Sequence, residues 1–308
     1  MSPLTQALRQ ATPVPGRIPA RVWTQAIRPR TLSAGAMPVL LGIALAYGKG
    51  VGRALPALAA LLGALLIQIG TNLANDYYDF KRGADTSERL GPVRVTQSGL
   101  IPPATVLFAA LLCFGAATAV GFYLVALAGW PILALGLLSL LAGFAYTGGP
   151  FPLGYLGLGD IFVFLFFGLA AVAGTYYVQA NHLTQAVWFA AAAAGSLGTA
   201  LLVVNNLRDV VTDARAGKRT LVVRFGVRAA RIEYCALLLI AFLAPILLWV
   251  SGLAKAWVLL AMISLPLAIA PLRRVLNQSG ADLNPALGET ARLQIAFGVL
   301  FALGLWIG

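Results

Sequence analysis

Long apolar segments alternate with short polar loops along almost the whole chain. Most of the segments hold about 17–25 residues, the length that a helix needs to cross the hydrocarbon core of a bilayer. The pattern predicts transmembrane helices at residues 33–48, 54–78, 102–125, 128–146, 159–178, 183–206, 231–250, 254–272 and 290–307. We therefore expect an all-α fold, a polytopic membrane helical bundle with about nine transmembrane helices around a central cavity.

The N-terminal region has a different pattern. Residues 1–18 are polar and rich in proline, which predicts a disordered tail. In residues 19–30, apolar side chains such as Trp23 and Ile27 fall on one side of a helix and arginines on the other, which indicates an amphipathic helix lying on an anionic leaflet. Residues 19–308 would then form a single domain.

Composition and charge fit a membrane protein. Of the 308 residues, 60% are hydrophobic and 10% are charged, whereas a soluble domain carries about 25% charged residues. In a soluble protein a net charge of +12 would suggest nucleic acid, but here lysine and arginine concentrate in alternate loops, and the other loops carry Lys49, Arg53 and Lys255. This asymmetry predicts a cytoplasmic N-terminus, surrounding membrane lipid and no nucleic-acid partner.

A polar cluster interrupts the second apolar segment at residues 68–86, Q-I-G-T-N-L-A-N-D-Y-Y-D-F-K-R-G-A-D-T. Asn72, Asn75, Asp76 and Asp79 are spaced i, i+3, i+4, i+7, so they project from one stripe of a helix. Each ionisable group within a membrane segment costs about 2.5–3.5 kcal/mol, so such residues indicate function.

The second half of the chain repeats this pattern at residues 205–220, N-N-L-R-D-V-V-T-D-A-R-A-G-K-R-T, where Asn206, Asp209 and Asp213 share a helical face. At one fixed offset the two segments match at four polar or glycine positions, namely Asn72 with Asn206, Asp79 with Asp213, Gly83 with Gly217 and Thr86 with Thr220. We interpret the motifs at 72–86 and 206–220 as traces of an internal duplication. Four predicted crossings separate them, so both face the cytoplasm.

Three uses fit two aspartate clusters at one membrane surface. Carboxylates can hold Mg²⁺ ions that bind a diphosphate, they can line a path for cations or protons, or they can serve as structural partners of neighbouring arginines. Transport sites usually lie near the bilayer midplane, whereas these clusters lie at span ends, which favours the diphosphate. The cations placed to take its remaining charge are Lys81, Arg82, Arg94, Lys218 and Arg219.

Both clusters resemble the two aspartate-rich motifs of the UbiA-type intramembrane prenyltransferases. Further segments are similar to the branch of that family that prenylates 1,4-dihydroxy-2-naphthoate in menaquinone biosynthesis. They are R-P-R-T-L at 28–32, G-P-V-R-V-T-Q-S-G-L-I at 91–101, Y-T-G-G-P at 146–150, G-L-G-D at 157–160, G-T-Y-Y-V-Q at 174–179 and the stretch 205–221. The resemblance covers residues 20–307.

The resemblance implies an enzyme of the bacterial cytoplasmic (inner) membrane whose active site faces the cytoplasm. Two Mg²⁺ ions would bridge Asp76, Asp79, Asp209 and Asp213 to the diphosphate of a polyprenyl diphosphate. Asp85, six positions after Asp79, would be a further metal ligand. Loss of diphosphate would give an allylic cation that attacks the naphthoate ring, and release of CO₂ would give demethylmenaquinol.

The resemblance also implies roles for residues outside the aspartates, each beside a structural alternative. The diphosphate-binding set would comprise Asn72, Asn75, Asn206, Lys81, Arg82, Arg94, Gln97, Tyr146, Lys218 and Arg219. The acceptor-binding set would comprise Arg28, Arg30, Tyr176, Tyr177 and Gln179. Tyrosines can instead be interfacial anchors, and the two N-terminal arginines can simply follow the positive-inside rule. Prenylation of 4-hydroxybenzoate, phytylation of the naphthoate and ion-coupled transport are the alternative functions.

Overall fold

The computed structural model describes residues 18–83, 90–91 and 94–308, and the regular structure in these residues is helical. The α-helices are α1 (Ala20–Ile27), α2 (Pro29–Gly48), α3 (Ala54–Lys81), α4 (Pro103–Ala128), α5 (Trp130–Ala145), α6 (Gly159–Val163), α7 (Ala171–Ala180), α8 (Gln185–Arg208), α9 (Val210–Arg215), α10 (Leu221–Val250), α11 (Ile269–Asn277) and α12 (Asn284–Ile307). A π-helix (Phe164–Ala170) joins α6 to α7, and 3₁₀-helices occupy Ala256–Ala268 and Gly280–Leu283. Of the predicted disordered tail, residues 1–17 lie outside the described part.

The predicted number of membrane crossings is confirmed. In the described part of the chain, eight helical segments are long and apolar enough to span a bilayer, and α5 is a shorter apolar helix. The seventh predicted span, residues 231–250, is the C-terminal part of α10, which begins ten residues earlier, at Leu221. The first turns of α10 contain arginines, so the apolar pattern does not include them. Gly226, with φ of 83°, bends the helix in this region.

The two ends of the bundle differ in chemistry. We call the end at which α3 and α8 terminate the acidic end and the opposite one the far end. Exposed tryptophans mark the far end, where aromatic rings suit a membrane–water interface. They are Trp130, Trp188, Trp249, Trp257 and Trp306.

Helix α8 forms the centre of the bundle, and small residues let its neighbours approach closely. Its buried face is rich in alanine and glycine, the residue types that bring membrane helix backbones together. A Cβ atom on Gly168 of the π-helix would lie 2.7 Å from the carbonyl oxygen of Ala191 and from the Cα atom of Gly195. The π-helix and α8 therefore pack backbone to backbone.

Helix α1 is amphipathic as predicted, but its apolar face is covered by protein. Val22 and Ala26 pack in a cluster with Leu73 of α3 and with Val95 and Ile101 of the following loop. The expectation that this face lies on a leaflet is wrong for these buried residues. The helix ends at Arg28, which adopts a left-handed conformation with φ of 57° before α2 begins.

An apolar cavity of about 310 Å³ runs through the bundle between α2, α3, α4, α5 and the segment 159–180. Its lining extends from Ile132 near the far end to Tyr146 at the acidic end. Those two residues are separated by the length of α5, about 21 Å at 1.5 Å per residue. The cavity therefore reaches most of the way across the membrane.

Candidate active site

The first aspartate motif occupies the last two turns of α3. Asp76 is 1% exposed, and its Oδ1 and Oδ2 accept hydrogen bonds from the backbone N–H groups of Thr96 (3.1 Å) and Val95 (3.3 Å). The loop after the motif thus folds back over the end of α3.

Asp79, one turn later, is the more heavily contacted carboxylate. It is 2% exposed and accepts a hydrogen bond from Nη2 of Arg94 at 2.9 Å and another from the hydroxyl of Tyr155 at 2.7 Å. Lys218 places its Nζ 3.4 Å from Oδ1 of the same carboxylate. Three separate segments of the chain therefore converge on Asp79.

Lys218 joins the two aspartate motifs. Its Nζ lies 3.4 Å from Asp79 and 4.0 Å from Oδ1 of Asp213, which belongs to the second motif. Gly83 and Gly217, which the sequence pairs with each other, both have positive φ, 68° and 74°, and follow the helices that carry the aspartates. The ammonium group of Lys218 therefore contacts an aspartate of each motif. The origin of the two motifs by internal duplication stays a prediction.

Asp209 lies between the two helices of the second motif. Helix α8 ends at Arg208 and α9 begins at Val210. Helical hydrogen bonds still continue across Asp209, whose N–H donates to the carbonyl oxygen of Asn205 (3.1 Å) and whose carbonyl oxygen accepts from the N–H of Asp213 (2.8 Å).

Arg208 is 1% exposed. Its guanidinium donates two hydrogen bonds to Asp209, from Nε to Oδ1 (2.7 Å) and from Nη2 to Oδ2. It also donates to the side-chain oxygens of Asn205 (2.8 Å) and Asn284 (3.3 Å). Arg208 lies beyond the predicted span 183–206, yet the structure shows it as a buried partner of Asp209.

The three asparagines have different surroundings. Asn75 accepts a hydrogen bond from the hydroxyl of Thr147 at 2.7 Å, beside the carboxylates. Asn72 donates to the carbonyl oxygen of Ile27 and to Thr31, so its amide fixes the junction of α1 and α2. Asn206 lines a small void together with Asp160 and Glu233.

The predicted cations separate into two groups. Arg94 and Lys218 contact the carboxylates directly. Lys81 and Arg219 are exposed at the rim. Arg82 donates to the carbonyl oxygen of Gly149 and lies 5.3 Å from the ring centroid of Tyr155.

Gln97 is half-buried in the turn that covers α3. The backbone of this turn already binds Asp76 through its neighbouring residues Val95 and Thr96. A role for the Gln97 side chain in diphosphate binding stays a prediction.

Tyr146 joins the cavity to the carboxylates. Its ring lines the cavity, and a Cβ atom on Gly159 would lie 2.9 Å from its hydroxyl. A tyrosine hydroxyl at this position can donate a hydrogen bond to a group bound at the acidic end.

The predicted acceptor-binding residues do not share one place. Gln179 accepts a hydrogen bond from the backbone N–H of Arg53 at 2.6 Å, which places it at the far end, where α3 begins. Tyr176 is buried with its ring against His182, and Tyr177 packs beside Ile132. The structure does not bring these three to the carboxylates, because a whole membrane-spanning segment separates them.

The two N-terminal arginines of the acceptor set lie at the acidic end. Arg28 is half-buried at the junction of α1 and α2. The side chain of Arg30 is outside the described part. Binding of an acceptor by either arginine stays a prediction.

No three carboxylate, histidine or cysteine side chains in residues 18–83, 90–91 and 94–308 lie close enough to ligate a single metal ion. Protein cations and backbone donors hold the carboxylates instead, and Asp85 lies outside the described residues. Metal binding by the five aspartates stays a prediction.

Comparison with known proteins decides the family. The model of the "UbiA prenyltransferase family" matches residues 35–306. The chain belongs to the UbiA prenyltransferase family. It is 36% identical to the 1,4-dihydroxy-2-naphthoate octaprenyltransferase of Haemophilus influenzae, an alignment that covers 94% of this chain and 96% of that protein.

Two further relatives support the family assignment. The chain is 37% identical to the Escherichia coli protein of the same name, over 93% of this chain and 96% of that protein. The solved structure of a UbiA homolog from Archaeoglobus fulgidus bound to DMAPP and Mg²⁺ shares the fold, with a TM-score of 0.61 and 17% identity, and covers 91% of this chain and 99% of that one. The resemblance seen in the sequence is therefore confirmed.

Within this UbiA-family fold, sequence reasoning missed two side chains that organise the site. Tyr155 donates to Asp79, and its ring lies 4.8 Å from the Lys218 ammonium. Arg208 stands next to Asp209 in the motif, and its place directly beside a predicted functional aspartate was the available signal for it. No spacing pattern points to Tyr155, because it lies far from both motifs along the chain.

Proposed function

We propose that this protein transfers a polyprenyl group from a polyprenyl diphosphate to 1,4-dihydroxy-2-naphthoate, with loss of CO₂ and diphosphate. The observation that carries this is the meeting of the two aspartate motifs around Lys218 at the acidic end of an apolar cavity. The cavity suits an isoprenoid chain, and the charged end suits its diphosphate. The names of the two bacterial relatives support the naphthoate as the acceptor.

The site has the donor chemistry that Mg²⁺ takes, namely carboxylate and amide oxygens. Lys218 already holds a cationic position between Asp79 and Asp213, which supports cation binding there. Two Mg²⁺ ions would be held by Asp76, Asp79, Asp209 and Asp213. When bound, they would neutralise charge that builds on the leaving diphosphate.

The protein's own groups would then act around the donor. Arg94, Lys218 and the hydroxyl of Tyr146 are placed to donate hydrogen bonds to diphosphate oxygens. In the reaction the allylic C–O bond breaks, the new bond forms at the ring carbon that bears the carboxylate, and that carboxylate leaves as CO₂. The apolar walls exclude water, which would otherwise intercept the allylic cation.

The proposed setting is the bacterial cytoplasmic membrane, with the N-terminus and the acidic end at the cytoplasm. The loop charges at that end and the tryptophans at the far end support this orientation. Tagging the N-terminus and probing its accessibility to protease in sealed inverted vesicles would test it.

The activity is tested with membranes or purified protein given a polyprenyl diphosphate, Mg²⁺ and, in separate reactions, the naphthoate or 4-hydroxybenzoate. We expect diphosphate release and a prenylated naphthalene product lacking the carboxylate, identified by mass, and loss of both with EDTA. If product forms only from 4-hydroxybenzoate, then 4-hydroxybenzoate and not the naphthoate is the acceptor. Ion flux in proteoliposomes without any prenyl product would favour a transporter.

A further inference from the structure

One hydrogen-bond acceptor in the cavity wall has no protein partner. Gln68 lines the cavity from α3 and is 7% exposed. Its Oε1 is buried and accepts no hydrogen bond from the described residues. A buried carbonyl group left without a donor is unfavourable, so its presence in a cavity suggests a ligand that supplies one.

The orientation of this amide follows from its neighbours. Asn72 donates through Nδ2 to the backbone carbonyl of Ile27 at 2.8 Å, and a carbonyl can only accept. The Oδ1 of Asn72 is therefore the atom that faces Gln68, and it accepts from Nε2 of Gln68 at 3.3 Å. The remaining atom of the Gln68 amide is Oε1, an acceptor.

Two other polar side chains of the cavity wall already have protein partners. The hydroxyl of Thr118 donates to the carbonyl oxygen of Phe114 at 2.9 Å, and that of Ser139 donates to Leu135 at 2.8 Å. Both bonds stay within their own helices. Gln68 therefore differs from these two residues, because it places a buried, unsatisfied acceptor in the wall of the cavity.

The position of Gln68 suits the ring-bearing substrate. Gln68, Asn72 and Asp76 follow one another at intervals of four residues on one face of α3. Two such intervals span about 12 Å along the helix axis at 1.5 Å per residue. Tyr146 and Thr71 line the cavity between the carboxylates and Gln68. An aromatic ring placed below the diphosphate can therefore reach Gln68 with its own substituents.

We propose that Oε1 of Gln68 accepts a hydrogen bond from a hydroxyl group of the aromatic acceptor and so selects hydroxylated rings. The inference rests on the proposed function, because it concerns the second substrate of that reaction. A hydrocarbon prenyl chain has no N–H or O–H donor and cannot satisfy this oxygen. The acceptor has two hydroxyl groups, and one of them would bind here.

The test compares 1-hydroxy-2-naphthoate and 4-hydroxy-2-naphthoate, each lacking one hydroxyl, as competitive inhibitors against 1,4-dihydroxy-2-naphthoate. In the wild-type protein we expect one of the two to bind about tenfold more weakly than the other, near the upper limit for a single hydrogen bond. Gln68→Leu should bring the two inhibition constants to within about threefold and raise the KM for the naphthoate, while the KM for the prenyl diphosphate stays unchanged.

Ser139→Ala is the matched control, since it removes a hydroxyl from the wall that is already bonded within its helix. It should keep the wild-type ratio of inhibition constants. Equal inhibition constants for both compounds in the wild-type protein would overturn the inference, whether or not the Gln68 variant folds. An unchanged ratio in a folded Gln68→Leu protein would overturn it as well. A wild-type protein that prenylates no naphthoate would instead refute the proposed function.

Discussion

The buried pair of Arg208 and Asp209 is expected to be one of the most sensitive points of the fold. Arg208 is 1% exposed, and its guanidinium holds Asp209, Asn205 and Asn284 together. Replacing Arg208 by methionine keeps the volume but leaves a buried carboxylate without its partner. Breaking a buried ion pair in this way costs about 3–5 kcal/mol, a large part of a total stability of about 5–15 kcal/mol.

A double-mutant cycle separates the pair from its surroundings. The free energy of unfolding is measured in detergent by tryptophan fluorescence for Arg208→Met, Asp209→Asn and the double variant. Because the neutral pair leaves no buried charge, the double variant should be at least about 2 kcal/mol more stable than the sum of the single losses predicts.

Arg228→Met, at an exposed arginine, is the control and should change stability by less than about 0.5 kcal/mol. If the losses from Arg208→Met and Asp209→Asn add to within about 0.5 kcal/mol, the two side chains do not act as a pair and the reasoning is refuted.

Three further predictions concern packing and the hydrogen bonds of the site. Gly168→Ala should lower the free energy of unfolding by about 1–3 kcal/mol, because its Cβ would meet the backbone of α8. Gly115→Ala is the control and should leave the free energy of unfolding unchanged, because its Cβ would meet nothing within 4 Å. Equal losses in the two variants would contradict the close approach. Tyr155→Phe should weaken Mg²⁺-dependent diphosphate binding several-fold in a calorimetric titration while the protein stays folded, since Asp79 loses the hydrogen bond from the hydroxyl while the ring beside Lys218 is kept; unchanged binding would argue against this role. Tyr146→Phe should lower prenyl-transfer activity several-fold, because the hydroxyl at the acidic end of the cavity can no longer donate a hydrogen bond; unchanged activity would argue against a role for this hydroxyl.

The sequence was enough to predict the crossings and the identity of the charged clusters. Apolar length is a direct requirement of the bilayer, so in the described part of the chain the pattern located the eight helices long enough to span and the shorter apolar helix α5. A stripe of Asp and Asn in an apolar helix is too costly to arise without a use, so Asp76 and Asp79 stood out.

The periodicity of the sequence could not predict long-range side-chain contacts. Gln179 and Tyr176 belong to a motif typical of the family, yet the segment 159–180 runs the length of the bundle and carries them to the far end. The burial of Arg208 and the contact between Tyr155 and Asp79 depend on how distant segments meet. Helical spacing describes one segment at a time, so it cannot predict such meetings.

The central claim is that both aspartate motifs hold one diphosphate. Its most direct test is a calorimetric titration of purified protein with a non-hydrolysable prenyl diphosphate analogue in the presence of Mg²⁺. The wild type is compared with Asp79→Asn, with Asp213→Asn and with the control Asp282→Asn at an exposed site. We predict that either motif variant alone loses binding by at least about tenfold, while the control binds as wild type does. Full binding by a folded Asp213→Asn protein, with loss confined to Asp79→Asn, would contradict a site shared by the two motifs.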